Sequence, residues 1–194
     1  MPQEIEIEYK NIISENEYKQ MLAAYPFPKE NVEQINHYFE TTNQSLGSYG
    51  CAIRIREKLN TYTITLKEPH PDGLLETHDR ISKETFQEWL NGNIIPQPNT
   101  SRQLQKLGIS SEDLVYKGHL KTIRHETSYK GVLLVLDQSE YNGIKDYEFE
   151  LEAPTKPLGT QIFTDILQEQ LIPKRNTPNK IERFFTSLKH DTNH

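Results

Sequence analysis

Cysteine is nearly absent: Cys51 is the only one in 194 residues. A lone thiol cannot close an internal disulfide, so a reducing compartment, the cytoplasm, is the expected setting. Long apolar runs are missing as well. Mean hydropathy is −0.77, and no stretch approaches the roughly 18 apolar residues a spanning helix requires, so no membrane partner is expected. The opening residues MPQEIEIEYK are acidic where an export signal carries a basic end and an apolar run. Excess positive charge is lacking too. A formal net charge of −6 argues against DNA as a partner, because counterion-driven binding needs a basic surface. It leaves room for a local basic site that takes a small anion. There is no repeat, no low-complexity tract and no glycine-rich phosphate loop of the Walker type. The most linker-like stretch, 91–100 with Gly92, Pro96 and Pro98, has apolar periodicity on both sides and reads as an internal loop. A single domain over 1–194 is the expectation.

What the chain does have is alternation. EIEIEYK alternates strictly from Glu4 to Lys10, and QINHYFETT, YGCAIRIREKL, YTITLKEP and LLETHDRI follow as further strands, the middle pair joined by a tight turn around Asn60. VYKGHLKTIRHE, SYKGVLLVLD and DYEFELEAP bring the number to about eight. Helices carry their own signals. Ser14 with Glu17 forms a capping box, Thr100 with Gln103 another before a helix ended by Gly108, and Ser82 caps a helix holding Phe86, Trp89 and Leu90. An amphipathic segment runs from about Gly159 to Leu171. A last helix, about 177–190, opens with Thr177 as cap and Pro178 at its first position, and carries Ile181, Phe184, Phe185 and Leu188. The expected class is α+β with mostly antiparallel strands.

Residues two apart on a strand share a face. Glu4, Glu6, Glu8 and Lys10 therefore stand together opposite Ile5, Ile7 and Tyr9. Glu148, Glu150 and Glu152 stand opposite Tyr147, Phe149 and Leu151. Arg54, Arg56 and Lys58 form a basic row against Ile53 and Ile55, and Lys67 continues it on the next strand. One polar face on an antiparallel sheet is ordinary. These rows are not ordinary, because glutamate is a poor strand former, like charges in a row repel, and the signs are sorted rather than mixed. The opposite faces are apolar and must be covered. A sheet curled so that its charged faces line an interior, with helices on the outside, reconciles both demands. Unpaired charges cannot stay buried, so that interior calls for hard cations on the carboxylates, magnesium or manganese, and a polyanion on the arginines and lysines.

The order of these strands, Glu6-x-Glu8-x-Lys10, then HYFETT, then Arg54-x-Arg56, then TLK, then the late ELE strand, resembles the CYTH family of triphosphate tunnel metalloenzymes from Glu4 to about Leu188. The resemblance implies a closed antiparallel eight-stranded β-barrel, a triphosphate tunnel, with helices packed outside and the C-terminal helix closing one side. It implies that Glu6 and Glu8 bind metal with Glu148 and Glu150, Glu152 being a third candidate on that face, and that Lys10 contacts phosphate. Arg54, Arg56, Lys67 and Arg124 match phosphate-holding positions, Glu76 and Asp137 acidic tunnel positions, and Lys180 the lysine that closes the tunnel. Two positions depart from the pattern. Glu40 stands where aspartate is commoner, and Thr122 where a basic partner of Arg124 is usual, with Lys121 or Lys117 as substitutes. His37, His78 and His119 lack the short spacing of structural metal sites, although His78 lies two residues from Glu76. Cys51 has no nucleophile surroundings.

The activity implied is metal-dependent hydrolysis of a triphosphate by water, inorganic triphosphate first, since no base pocket shows in the sequence. The catalytic set is Glu6, Glu8, Lys10, Glu148 and Glu150, and the partner a small-molecule triphosphate. A class IV adenylate cyclase, or a non-catalytic sensor of triphosphate or polyphosphate, is the alternative. Monomer and homodimer both fit.

Overall fold

The computed structural model describes residues 2–191. In chain order the elements are β1 (Gln3–Glu6), β2 (Glu8–Ile13), α1 (Glu15–Ala24), β3 (Val32–Thr41), α2 (Ser45–Ser48), β4 (Ala52–Lys58), β5 (Thr61–His70) and β6 (Gly73–Ile81). Then come α3 (Lys83–Leu90), α4 (Thr100–Lys106), β7 (Leu114–Tyr129), β8 (Val132–Tyr141), β9 (Ile144–Glu152), α5 (Lys156–Glu169) and α6 (Lys180–Asp191). The class is α+β, as expected, and the strand registers below are antiparallel. The chain forms two compact units, one from the N-terminus to Glu6 with Gln34–His119, the other Ile7–Glu33 with the chain from Leu120 onward.

In the first unit the strands run in the order β1-β6-β5-β4-β3. The pairs Ile53↔Leu66 and Ile55↔Ile64 put four fully buried aliphatics on one face, and Phe86 and Trp89 of α3 with Leu104 of α4 close over them. Each such side chain removed from water contributes roughly 1.5–3 kcal/mol, which fixes the register because a one-residue slip would turn this set outward. Helix α4 is held by Asp79 on β6. Its buried carboxylate accepts from the Asn99 amide, the Thr100 amide (2.7 Å) and the Thr100 hydroxyl (2.7 Å).

In the second unit the order is β7-β8-β9-β2. Leu134 and Leu136 of β8 and Tyr147, Phe149 and Leu151 of β9 face the helices α1 and α5, meeting Tyr18, Met21, Phe163 and Ile166 in a separate core. Strand β2 ends this sheet, and an exposed edge invites foreign pairing. Here a strap covers it. Asn11, fully buried, donates to the Pro173 carbonyl and accepts from the Arg175 amide, while Thr177 Oγ1 accepts from the Ile12 amide at 2.8 Å. Arg175 also forks onto Glu17 at 2.7 and 2.8 Å.

Several elements differ from the sequence-based expectation. The single first strand is two, so that nine strands are found among the described residues. The chain leaves β6 and joins β9 at Ile7, whose carbonyl accepts from the Ala153 amide. The stretch SYKGVLLVLD is not one strand, because Lys130 and Gly131 take positive φ, 47° and 81°, and form the hairpin turn between β7 and β8. Thr100 does not cap its own helix, since its hydroxyl is committed to Asp79. Helix α5 begins before Gly159, with Pro157 in its first turn. Helix α6 starts at Lys180 rather than Thr177, whose hydroxyl is taken by β2, and the Asn179 amide donates to Glu182 instead. The Ser14–Glu17 capping box and the Ser82 cap form as expected.

Candidate functional site

The charged face of the first unit is built by cross-strand register. Glu4 lies opposite Glu76, Glu76 opposite Lys67, His78 opposite Thr65, and Thr65 opposite Arg54. Arg56 lies opposite Thr63 and Asn36, and donates from Nε to Asn36 Oδ1 at 3.2 Å. Lys67 Nζ joins two carboxylates, Glu6 Oε2 at 2.6 Å and Glu76 Oε1 at 2.5 Å. Burial pushes the Glu76 carboxyl up, but the Lys67 ammonium and the Arg54 guanidinium outweigh it and hold it at about 2. Arg54 Nε is buried with no hydrogen-bond partner among the described residues. That is costly unless a ligand supplies an acceptor. His78 Nε2 sits 3.1 Å from Glu4 Oε1 and 3.4 Å from Glu76 Oε2, while its Nδ1 contacts Thr65 Oγ1. Among the described residues, Glu4, Glu76 and His78 form a group whose ligand atoms all lie within 4.8 Å of one another and could hold a metal ion.

The charged face of the second unit is more densely locked. Lys10 lies opposite Glu150, Glu8 opposite Glu152, and Asp137 opposite both Glu148 and Arg124. Arg124 forks onto Asp137 at 2.8 and 2.6 Å and reaches Glu150 Oε2 at 2.9 Å. Lys180 enters from α6 and meets Asp137 Oδ2 at 2.8 Å, Glu148 Oε1 at 2.5 Å and Glu150 Oε1. Lys10 pairs with Glu8 at 2.7 Å and donates to Asn179 Oδ1. Burial works against the charged forms of Arg124, Lys180, Asp137, Glu148 and Glu150. For Asp137 and Glu150 the arginine and lysine contacts prevail and hold the carboxyls below the ordinary range. For Glu148 burial, reinforced by the Glu150 charge, prevails and lifts the carboxyl to about 7. Arg124 and Lys180 are raised above their usual values by the same carboxylates despite burial.

Every residue expected in the site lies on one of these two faces or on α6 beside the second. Glu6 belongs to the first unit and Glu8 to the second. Thr122, which replaces a basic residue, is buried and paired with Ser139 Oγ at 3.2 Å. Lys121 does not substitute for it, because its ammonium bridges to Glu33 at 2.7 Å. Glu40 accepts from the amides of Thr41, Leu46 and Gly47, a loop-fixing role. Burial pushes the Cys51 thiol up to about 11, in keeping with an inert residue. Sequence reasoning missed Arg183, which meets Glu148 Oε2 at 2.6 Å and Asp146 Oδ2 at 3.0 Å. Its signal was the spacing to Lys180, three residues apart on one helix face.

Oxygen donors of this kind suit magnesium or manganese, and guanidinium forks suit phosphate oxygens. Both faces therefore offer groups of the kinds that hard cations and phosphate oxygens can bind. The chain belongs to the CYTH family: the model of the CYTH domain matches residues 4–185. It is 42% identical over 186 residues to the Bacillus subtilis (strain 168) protein named "Putative triphosphatase YjbK", covering 95% of this chain and 96% of that one. The crystal structure of a Bacillus halodurans protein named as a putative adenylate cyclase matches with a TM-score of 0.89 at 40% identity, over 95% of this chain and 100% of that one. HpAC1 of Hippeastrum, named as a putative adenylyl cyclase with a dominant triphosphatase activity, shares the fold with a TM-score of 0.79 at 23% identity, over 94% and 96% of the two chains. No described helix is long and apolar enough to cross a membrane.

Proposed function

We propose that this chain hydrolyses a triphosphate, inorganic triphosphate in the first place, with magnesium or manganese as cofactor. The observation that carries this reading is Arg54, a guanidinium whose buried Nε has no acceptor among the described residues, on the same face as Arg56 and Lys67. A phosphoryl oxygen is the acceptor such a fork fits. Arg54, Arg56, Lys67, Lys10 and Arg124 would hold the phosphate oxygens and offset charge that spreads over them in a loose transition state. Glu6, Glu8, Glu148 and Glu150, with Glu152 beside them, would hold the divalent ions, which supply charge neutralisation and a polarised water. Asp137 and Glu76 orient Arg124 and Lys67 through the ion pairs described. The transfer needs no nucleophilic side chain.

The name carried by the Bacillus halodurans relative favours a second reading, an adenylate cyclase. Purified protein incubated with tripolyphosphate or with ATP, in magnesium or manganese, separates the two. Hydrolysis releases phosphate, and Arg54→Gln and Glu148→Gln should each lower that rate at least about a hundredfold, as loss of a preorganised charge in such a site does. Cyclic AMP with pyrophosphate as the products from ATP would move the assignment to a cyclase. Metal-dependent binding without turnover would leave a sensor, and neither binding nor cleavage would end the proposal.

A further inference from the structure

The carboxylates Asp137, Glu148 and Glu150 offer six oxygens, and each of the six is engaged by a cationic donor. Arg124 takes both oxygens of Asp137 and Glu150 Oε2. Lys180 takes Asp137 Oδ2, Glu148 Oε1 and Glu150 Oε1. Arg183 takes Glu148 Oε2. These cations are not equivalent. Arg124 is a strand residue, buried and held by the ladder to β8. Lys180 and Arg183 come from the first turn of α6, which follows the strap 173–177. A lysine is also a compact charge on a flexible four-carbon stem, easily withdrawn. Further along the helix, Phe184 is fully buried and Ser187 Oγ accepts from Asn142 Nδ2 at 2.8 Å, so the body of α6 is anchored independently of the ammonium.

A divalent ion seated on Glu148 and Glu150 would meet the Lys180 ammonium on the same oxygens, and like charges that close in a buried site repel strongly. We propose that Lys180, supported by Arg183, is a tethered counter-cation which keeps this carboxylate set neutralised until a divalent metal displaces it. Metal loading and seating of the ammonium then exclude one another. The inference rests on the reading that Glu148 and Glu150 take metal. It adds that the chain carries its own competitor, so that occupancy of the site is set by the contest between α6 and the ion.

The test uses the full chain without triphosphate and follows Mn2+ binding by the loss of the free-ion paramagnetic signal. Lys180→Gln should bind Mn2+ about tenfold more tightly than the native protein, roughly 1.4 kcal/mol. Arg183→Gln, which keeps the ammonium and frees one Glu148 oxygen, should tighten binding less but in the same direction. On the native protein, Mn2+ should raise the rate at which an amine-acylating reagent labels Lys180, read by mass spectrometry. Equal Mn2+ affinity in the native and Lys180→Gln proteins, with binding abolished by Glu148→Gln, would overturn the counter-cation and leave the metal assignment standing. Lys180 labelling that is unchanged or slowed by bound Mn2+ would do the same. Absence of Mn2+ binding in both native and Lys180→Gln proteins would overturn the metal assignment itself, and the inference with it.

Discussion

At the scale of single residues, the charged side chains of this protein divide into those that fasten the fold and those that the proposed function assigns to a ligand. Glu17 is of the first kind. Its contact with the Arg175 fork holds the carboxyl at about 2, against an ordinary 4.5. Because the folded value lies below the unfolded one, this contribution is fully present above about pH 5 and is lost as the pH falls toward 2. Glu17→Gln should therefore lower the urea midpoint at pH 7 and flatten its decline between about pH 5 and 2. An unchanged acid limb would show that the fork does not couple to stability. Arg54 is of the second kind, and the sequence announced it, since its alternation with Ile53 and Ile55 fixed its face. Arg183 was not legible in the same way. The apolar residues Ile181, Phe184 and Leu188 dominate the pattern of that helix, and the acidic partners Asp146 and Glu148 lie more than thirty positions away.

Among the elements, a close approach governs where α5 can lie. A Cβ built on Gly159 would fall 2.3 Å from Tyr9 Cε2 and 2.8 Å from Ala153 Cβ, so this helical glycine is required by its neighbours. Tyr9 is pinned there, its ring 5.7 Å from that of Phe163 and its hydroxyl donating to the Lys156 carbonyl. Alanine normally strengthens a helix by about 1 kcal/mol over glycine, but overpacking of this severity costs about 1–3 kcal/mol. Gly159→Ala should thus lower the melting temperature, and a rise would show that α5 has room to shift. Element types were largely readable, because period-two alternation runs through most strands. The break at Ile7 was not, since EIEIEYK alternates without interruption and only the change of partner strand, from β6 to β9, divides it. The Lys130–Gly131 turn hid for a related reason: lysine gives little turn signal, and apolar residues resume at once.

For the whole molecule, two faces of buried, sorted charge mean that a fitting ligand adds stability by mass action. Tripolyphosphate with magnesium at a hundred times its dissociation constant should contribute about 2.7 kcal/mol, a rise in melting temperature of about 5–10 °C for a chain of this size. Calorimetry with sulfate at matched ionic strength is the control, and equal shifts from both anions would mean that no triphosphate site is filled. The two compact units have a further consequence, for synthesis. Neither is a continuous run of chain, because β1 is separated from β3–β6 by β2 and α1, which belong with strands made much later. As the polypeptide emerges from the ribosome, everything needed for the arginine face is available once His119 is out. Lys10 and Glu8 must wait through the making of β7 and β8 before Glu150 and Glu152 exist to face them. Vectorial folding, which completes N-terminal parts first, would here ready the arginine face before the late carboxylates have been translated.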